Sequence, residues 1–345
     1  MFSRLRNKRK LMYLLLIWLN GLFLWISYQA TFPLPQDRRN LVMKLPQIQF
    51  PLRLIIMIIS KYNNFEKRMA IRETWGNKTL LESFFVKGFV RGPYFIFSND
   101  SQTITKSEYL QLELEMARFG DLHELPTREN HGDLAQKLFL SYKWIATMVG
   151  HWKYVDSYLK SPEDGHYILR ADDDSYIDIF RIIHHFHDQL HAKQINSLQY
   201  DNSFYCNVNK NASVIRDSND KYFIPYSIYK GEKYPVYCAG ISYLFDSRLL
   251  PTLLETSFEM MLPIHEDVLF TGIVAEKLGT NHYQVPGKLS HYSKHRSTTI
   301  LCRKNRTSSK IPILFHNLTL IEMTNVHRCA TKLIRSILNT DSINV

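Results

Sequence analysis

His166-Tyr167-Ile168-Leu169-Arg170-Ala171-Asp172-Asp173-Asp174-Ser175-Tyr176-Ile177-Asp178 is the stretch from which the fold is read. Tyr167 to Leu169 is an apolar run with the length and composition of a short buried strand. It ends in three consecutive carboxylates, which repel one another and add nothing to a core. A neutralising cation explains their company. Hard oxygen ligands suit Mg²⁺ or Mn²⁺, ions that proteins hold through one or two carboxylates plus substrate phosphates. A metal–diphosphate site is one reading of the triplet; a solvated acidic loop and a calcium site are the others.

Working outward, apolar runs alternate with helical periods. Leu52 to Ser60 is nearly all apolar, as expected of a strand covered on both faces. Asn64 to Trp75 follows as a helix, with Asn63 or Asn64 as its cap. Gly92 to Asn99 reads as a second buried strand and Lys106 to Arg118 as a helix. Leu134, Leu138, Tyr142, Ile145 and Val149 recur with a helical period across 130–149. After the triplet, Ile179 to His191 is expected to be helical, Val236 to Phe245 a strand, and Leu249 to Thr256 a short helix. Val268 to Lys277 is expected to be a helix stopped at Gly279. This order argues for an α/β sandwich on a mostly parallel sheet. Such sheets bind ligands at the carboxyl ends of their strands, where the triplet stands.

The amino terminus points to a compartment. Arg4, Arg6, Lys8, Arg9 and Lys10 precede an uncharged apolar run over 11–28, near the length needed to span a bilayer. Basic residues before a span favour a cytoplasmic amino end. A cleaved signal peptide would need a shorter core and small residues at the cut, whereas this segment carries Trp18, Phe23 and Trp25. The expected layout is a tail over 1–10, a signal anchor over 11–28, a proline-bearing stem over 29–50 and one lumenal domain over 51–345. Sequons at Asn77, Asn99, Asn211, Asn305 and Asn317 fit a lumenal chain. So do the four cysteines, Cys206, Cys238, Cys302 and Cys329, all beyond the span. None has the close pairing of a zinc site. The formal net charge is +11, and the residues before the span supply nearly half of it. With no dense basic tract and no nucleic-acid motif, nucleic-acid binding is excluded; a nucleotide diphosphate or a membrane surface remains a suitable anionic partner.

Three further segments carry candidate chemistry. In Arg68-Met-Ala-Ile-Arg72-Glu-Thr-Trp75-Gly76, the two arginines share a helix face and are placed to contact a diphosphate, or else line a surface helix. In Ile264-His265-Glu266-Asp267-Val268, two acids begin a helix, as dipole partners or as a general base. Tyr234-Pro-Val-Tyr237-Cys-Ala-Gly240-Ile-Ser-Tyr243 suits a sugar-binding wall or an ordinary core strand. His316 follows an apolar run, either as a core residue or as a Mn²⁺ ligand.

Together and in order, the segments at 68–77, 167–178, 234–243 and 264–268 resemble the inverting β-1,3-galactosyltransferases and β-1,3-N-acetylglucosaminyltransferases. The resemblance runs from about Leu52 to Arg328. It implies a GT-A fold, a UDP-sugar donor, a glycan acceptor, Mn²⁺ (or Mg²⁺) and a type II Golgi membrane layout. Asp174, Asp172 and His316 would form the metal site, and Asp267 would be the catalytic base. Arg68, Arg72, Lys137, Asp172 and Asp173 would lie toward the donor, and Glu266, Tyr237 and Gly240 toward the acceptor. A Cys238–Cys302 bridge is expected. Galactose is the first donor expected and N-acetylglucosamine the alternative. A catalytically inactive relative acting as chaperone or partner of an active transferase is a reading of another class, and a membrane-anchored lectin a third. The chain departs from the family pattern at Asp133-Leu134-Ala135, Ser175, Asp178 and Ser242. It also carries one extra residue between Val268 and Gly272. An insertion in an α-helix rotates the residues beyond it by about 100°, so an altered acceptor side is expected there.

Overall fold

A computed structural model describes residues 53–84, 90–99, 104–128, 133–157, 166–183, 201–285 and 314–341. The expected tail, anchor and stem, along with Asn305 and Cys302, lie outside the described residues. Among the described residues no helix is long and apolar enough to cross a membrane.

The strands are β1 (Arg53–Ile59), β2 (Val90–Ser98), β3 (Leu122–Leu125), β4 (His166–Asp172), β5 (Tyr176–Ile177), β6 (Ser203–Asn209), β7 (Tyr237–Asp246), β8 (Asn281–Gln284) and β9 (Leu314–Phe315). Seven of them form one sheet in the order β3-β2-β1-β4-β7-β6-β8, and β5 pairs with β9. Strands β3, β2, β1 and β4 are parallel, as the alternation of strand and helix demands. The direction reverses at β7, which pairs antiparallel with both β4 and β6, while β8 runs parallel to β6. The expected mostly parallel sheet is thus present, with β7 alone running against the other six strands.

Both faces of β1 are covered, which explains its unbroken apolar run. Leu54, Ile56 and Ile58 face one core with Ile71, Trp75 and Val326; Ile55, Met57 and Ile59 face another with Leu138, Tyr142 and Phe270. The flanking helices are α1 (Phe65–Glu73), α2 (Lys78–Phe84), α3 (Lys106–Phe119), α4 (Leu134–Ser157), α5 (Leu250–Glu259), α6 (266–277) and α7 (Leu320–Asp341). Thr105 starts α3 with a capping box to Glu108, and Gly120 ends it in the left-handed conformation, φ +62°. A helix also begins at Ile179, with Asp178 Oδ1 accepting from the Arg181 backbone N–H at 3.2 Å, so the departure at Asp178 serves a helix start. The rest of the expected 179–191 helix lies outside the described residues.

Helix α6 is not uniform. Glu266–Val268 is α-helical, Leu269–Val274 is a π-helix, and Ala275–Lys277 is α-helical again. A π-turn accommodates one additional residue without rotating the rest of the helix. The expected rotation is thus corrected: the wider turn absorbs the extra residue. Thr271, inside the π segment, clasps both neighbours. Its hydroxyl donates to the Asp267 carbonyl at 2.6 Å and accepts from the Cys238 N–H at 2.9 Å. Gly272 packs on Tyr237, whose Cβ would stand 3.1 Å from an added Cβ.

The disulfide expectation is also corrected. Cys238 bonds to Cys206, with Cα atoms 5.6 Å apart. Antiparallel pairing of β6 with β7 brings the two together, Val208 standing opposite Cys238. Cys329 is disulfide-bonded as well.

Candidate active site

A cleft of about 860 Å³ opens at the carboxyl ends of β1 and β4. The parallel ladder dictates its position: β4 ends at Asp172, register-paired with Ile59 at the end of β1. The chain then turns sharply through Asp173 and Asp174.

The three acids separate into different roles. Asp173 is buried and turned toward β1, where its Oδ2 accepts from Ser60 Oγ and Asn64 Nδ2, each at 2.7 Å. Asn64 begins α1, as expected, but makes no side-chain cap; its amide is spent on Asp173. Lys67 Nζ lies 3.4 Å from Asp173 and 3.3 Å from Asp174. Lys137, buried on α4, donates to the Ser60 carbonyl at 2.6 Å and lines the cleft.

Asp172, Asp174 and His316 converge so that one ligand atom from each lies within 4.8 Å of the others. His316 Nε2 is 3.1 Å from Asp174 Oδ1 and 4.0 Å from Asp172 Oδ2. β9 delivers the histidine, its Phe315 pairing with Tyr176 just after the triplet. Asp174 Oδ1 is buried and faces His316 Nε2. Two carboxylates and an imidazole are a donor set that fits Mn²⁺ or Mg²⁺. Burial opposes ionisation of Asp174, but His316 and Lys67 outweigh it and hold the carboxyl at about 2. Asp172 is poorly solvated on all sides but the cleft and is pushed up to about 7; Arg170 opposes that shift, while Glu266 and Asp174 add to it. Burial works against protonation of His316, but Asp174 and Asp172 raise it above the usual imidazole value.

Asp267 lines the same cleft from the first turn of α6. Its Oδ2 accepts from the Gly240 N–H at 3.0 Å and its Oδ1 from the Val268 N–H at 2.8 Å. Burial, then the neighbouring Glu266, lifts its carboxyl above the usual range, against the hydrogen bonds and Arg170 that lower it. A carboxylate with raised proton affinity is suited to general-base work near neutral pH. Gly240 allows this approach: a Cβ there would lie 3.1 Å from Asp267 Oδ2 and 3.2 Å from Glu266 Oε1. Tyr237 lines the same wall, its hydroxyl pushed up to about 12 by burial and by Asp267.

Arg68 and Arg72 do not reach this cleft. They share a helix face, as expected, but that face turns into the protein. Arg68 is fully buried and meets Glu115 of α3 through Nε at 2.8 Å and Nη2 at 2.6 Å. Arg72 pairs with Glu115 at 2.7 Å and with Asp121 at 2.7 and 2.8 Å, and lies over the Phe119 ring. Trp75, from the same segment, donates to the Ser175 carbonyl at 2.8 Å. The 68–77 motif therefore ties α1 to α3 and to the loop behind the acids.

Sequence reasoning passed over Ser60, Asn64 and Lys67 on one wall and Arg170 between the two. Lys67 adjoins Arg68 but is turned from it by about 100°, and choosing the correct face required knowing which side α3 covers. Arg170 is buried with Nη1 2.9 Å from Asp172 and Nη2 3.4 Å from Glu266. Strand alternation alone would have assigned it to a face but not to these partners. Of the described sequons, Asn77 caps α2 by accepting from the Leu80 N–H, and Asn211 and Asn317 are exposed with φ of +58° and +59°. Asn99 follows the end of β2.

Residues 66–286 match the family described as Galactosyltransferase. Among curated proteins, the chain is 25% identical over 254 residues to beta-1,3-galactosyltransferase 1 of Mus musculus, covering 73% of this chain and 68% of that protein. It is 23% identical over 252 residues to lactosylceramide 1,3-N-acetyl-beta-D-glucosaminyltransferase A of Danio rerio, covering 73% of this chain and 60% of the relative. The human lactosylceramide enzyme is 24% identical, with 54% of its length covered. Among solved structures, mouse xyloside xylosyltransferase 1 aligns over 77% of this chain and 97% of its own at 11% identity and a TM-score of 0.30, too distant to carry weight. The matched stretch takes in nearly two thirds of the chain, with Asp172, Asp174 and the Glu266–Asp267 pair inside it, and the chain belongs to the Galactosyltransferase family.

Proposed function

We propose that this protein is a type II Golgi membrane glycosyltransferase with a GT-A fold, transferring a hexose from a UDP-sugar to a glycan hydroxyl in β-1,3 linkage with inversion. Galactose from UDP-galactose is the first donor assigned and N-acetylglucosamine the second. The observation that carries this reading is that one cleft holds the Asp172–Asp174–His316 cluster and the half-buried base candidate Asp267. The membrane placement rests on the apolar run at 11–28 and the basic residues before it, and the Golgi on the layout that the family resemblance implies.

Asp172, Asp174 and His316 would hold a divalent cation, which when bound supplies positive charge against the diphosphate leaving group. Lys67 adds a fixed ammonium on the same wall. Asp267 takes the proton of the acceptor hydroxyl as its oxygen bonds to the anomeric carbon. The bond from that carbon to the diphosphate oxygen breaks in the same step, and its electron pair leaves with UDP. Attack from the face opposite the leaving group inverts the configuration. The protein's remaining work is alignment, since holding two sugars in line removes much of the entropic barrier.

The test is UDP release by the full chain in detergent, across UDP-sugars and simple β-linked galactose, N-acetylglucosamine and N-acetylgalactosamine acceptors, with Mn²⁺ and with chelator. Chelator-sensitive release that needs one donor and one acceptor establishes the transferase and names its donor. Folded protein that does not bind UDP with Mn²⁺ overturns the reading in favour of a non-catalytic partner.

A further inference from the structure

Asp173 is the one acid of the triplet outside the Asp172–Asp174–His316 cluster, and its contacts give it different work. Its Oδ2 takes hydrogen bonds from Ser60 Oγ and Asn64 Nδ2, each at 2.7 Å. Ser60 Oγ in turn accepts from Nη1 of the buried Arg68 at 3.1 Å, and the Ser60 carbonyl accepts from Lys137 at 2.6 Å. Arg68 is itself locked to Glu115. A carboxylate held this way on one oxygen presents the other in a set direction. That second oxygen, Oδ1, faces Lys67 Nζ at 3.4 Å.

Lys67 stands in the first turn of α1 and lines the cleft with its side chain 40% exposed. Its ammonium donates to Asp174 Oδ2 at 3.3 Å. The two oxygens of Asp174 are thus divided, Oδ1 facing His316 Nε2 at 3.1 Å and Oδ2 facing the ammonium. A lysine ammonium has three donors; Asp173 and Asp174 engage two, which leaves one for the cleft. An ion pair this exposed adds little to folding. Its charge, however, lies one carboxylate away from the metal-ligand cluster. A positive charge there repels a bare divalent cation and attracts the phosphates of a cation–nucleotide complex.

We propose that Lys67 selects the cation–diphosphate complex over the bare cation, so that metal and nucleotide enter the cleft together. This rests on the metal–nucleotide reading of the cleft. The test measures two affinities on the full chain in detergent. Mn²⁺ alone is followed by loss of the free-ion paramagnetic resonance signal, and UDP with Mn²⁺ by calorimetry. Lys67→Met, which keeps the length of the side chain and removes the charge, moves the two in opposite directions. It binds Mn²⁺ alone more tightly and UDP with Mn²⁺ more weakly, each by on the order of tenfold, the scale of a charge pair screened by cleft water. Lys67→Arg, which keeps the charge, restores both affinities toward wild type. Uridine with Mn²⁺, which offers no diphosphate, binds wild type and Lys67→Met alike. An unchanged Mn²⁺ affinity in Lys67→Met, or two affinities that move in the same direction, overturns the selection and leaves the metal–nucleotide site standing. A loss of uridine affinity equal to that of UDP overturns it too, since it marks a general loosening. Folded wild type that binds neither Mn²⁺ nor UDP with Mn²⁺ overturns both readings together.

Discussion

On one side of β4, strands β1, β2 and β3 run parallel, and each functional group hangs at the end of a strand or on the first turn of a helix. On the other side, β7 alone runs against the sheet, a disulfide joins it to β6, the loop over 210–236 replaces regular structure, and α6 widens into a π-turn. The first half is made of strand–helix units that set Asp172 and Asp174 wherever β4 stops. The second half is held by single, long-range contacts: Arg216 to the carbonyls of Ile224, Tyr229 and Gly231, Thr271 to β7, and Gly240 to Asp267. A half built from repeats tolerates sequence change and retains its geometry. A half built from individual clasps is where one extra residue, or one lost contact, changes what is recognised.

The largest expected effects test whether both halves serve one reaction. Asp174→Ala is expected to abolish Mn²⁺-dependent UDP binding, measured by calorimetry, while the protein stays folded. Asp267→Asn should lower turnover by about 10²–10⁴-fold, the usual contribution of a general base, with UDP affinity retained. Unchanged turnover would remove Asp267 from the mechanism. Its raised proton affinity fixes the sign of the pH dependence. The base works only when ionised, so activity falls as pH drops through its elevated pKa. The acid limb of the wild-type profile therefore lies above the ordinary carboxylate range, and Asp267→Asn should flatten it.

The next tests separate structure from chemistry within the regular half. Arg68→Met removes the bidentate partner of Glu115 and leaves it Arg72 alone, a change expected to cost about 1.5–3 kcal/mol in chemical denaturation. UDP affinity of the molecules still folded should be unchanged; a selective loss would restore the arginine to the donor site. In the clasped half, Gly240→Ala forces a Cβ against both acids, an overpacking cost of about 1–3 kcal/mol. Its signature is a turnover loss larger than its stability loss. Thr105→Ala, which removes only the capping box of α3, serves as the smallest perturbation, about 1 kcal/mol with no change in transfer.

The same division governs what could be read from the chain. The apolar runs at β1, β2 and β4, the helical period of α4 and the acids at a strand end are local patterns, because strand and helix each impose their own periodicity on neighbouring residues. They suffice to name the α/β architecture and to put Asp172 and Asp174 forward; Asp267 came from the acid pair at a helix start, His316 from the end of an apolar run, and the family from the four segments taken in order. Asn64 was legible as a helix start but not as a ligand of Asp173, since that partner lies on another strand. The facing of Arg68 and Arg72 was equally hidden: spacing puts two arginines on one side of a helix without saying whether solvent or Glu115 lies there. The bond between Cys206 and Cys238 followed from an antiparallel pairing that no spacing reveals. The extra residue before Gly272 was visible as a count, and only the packing of α6 against Tyr237 decided that it would widen a turn rather than rotate a helix. Sequence by itself determined the elements and the chemically capable residues, because those depend on covalent neighbours. Tertiary structure alone decided which of those residues share a cleft, because that depends on which surfaces exclude water together.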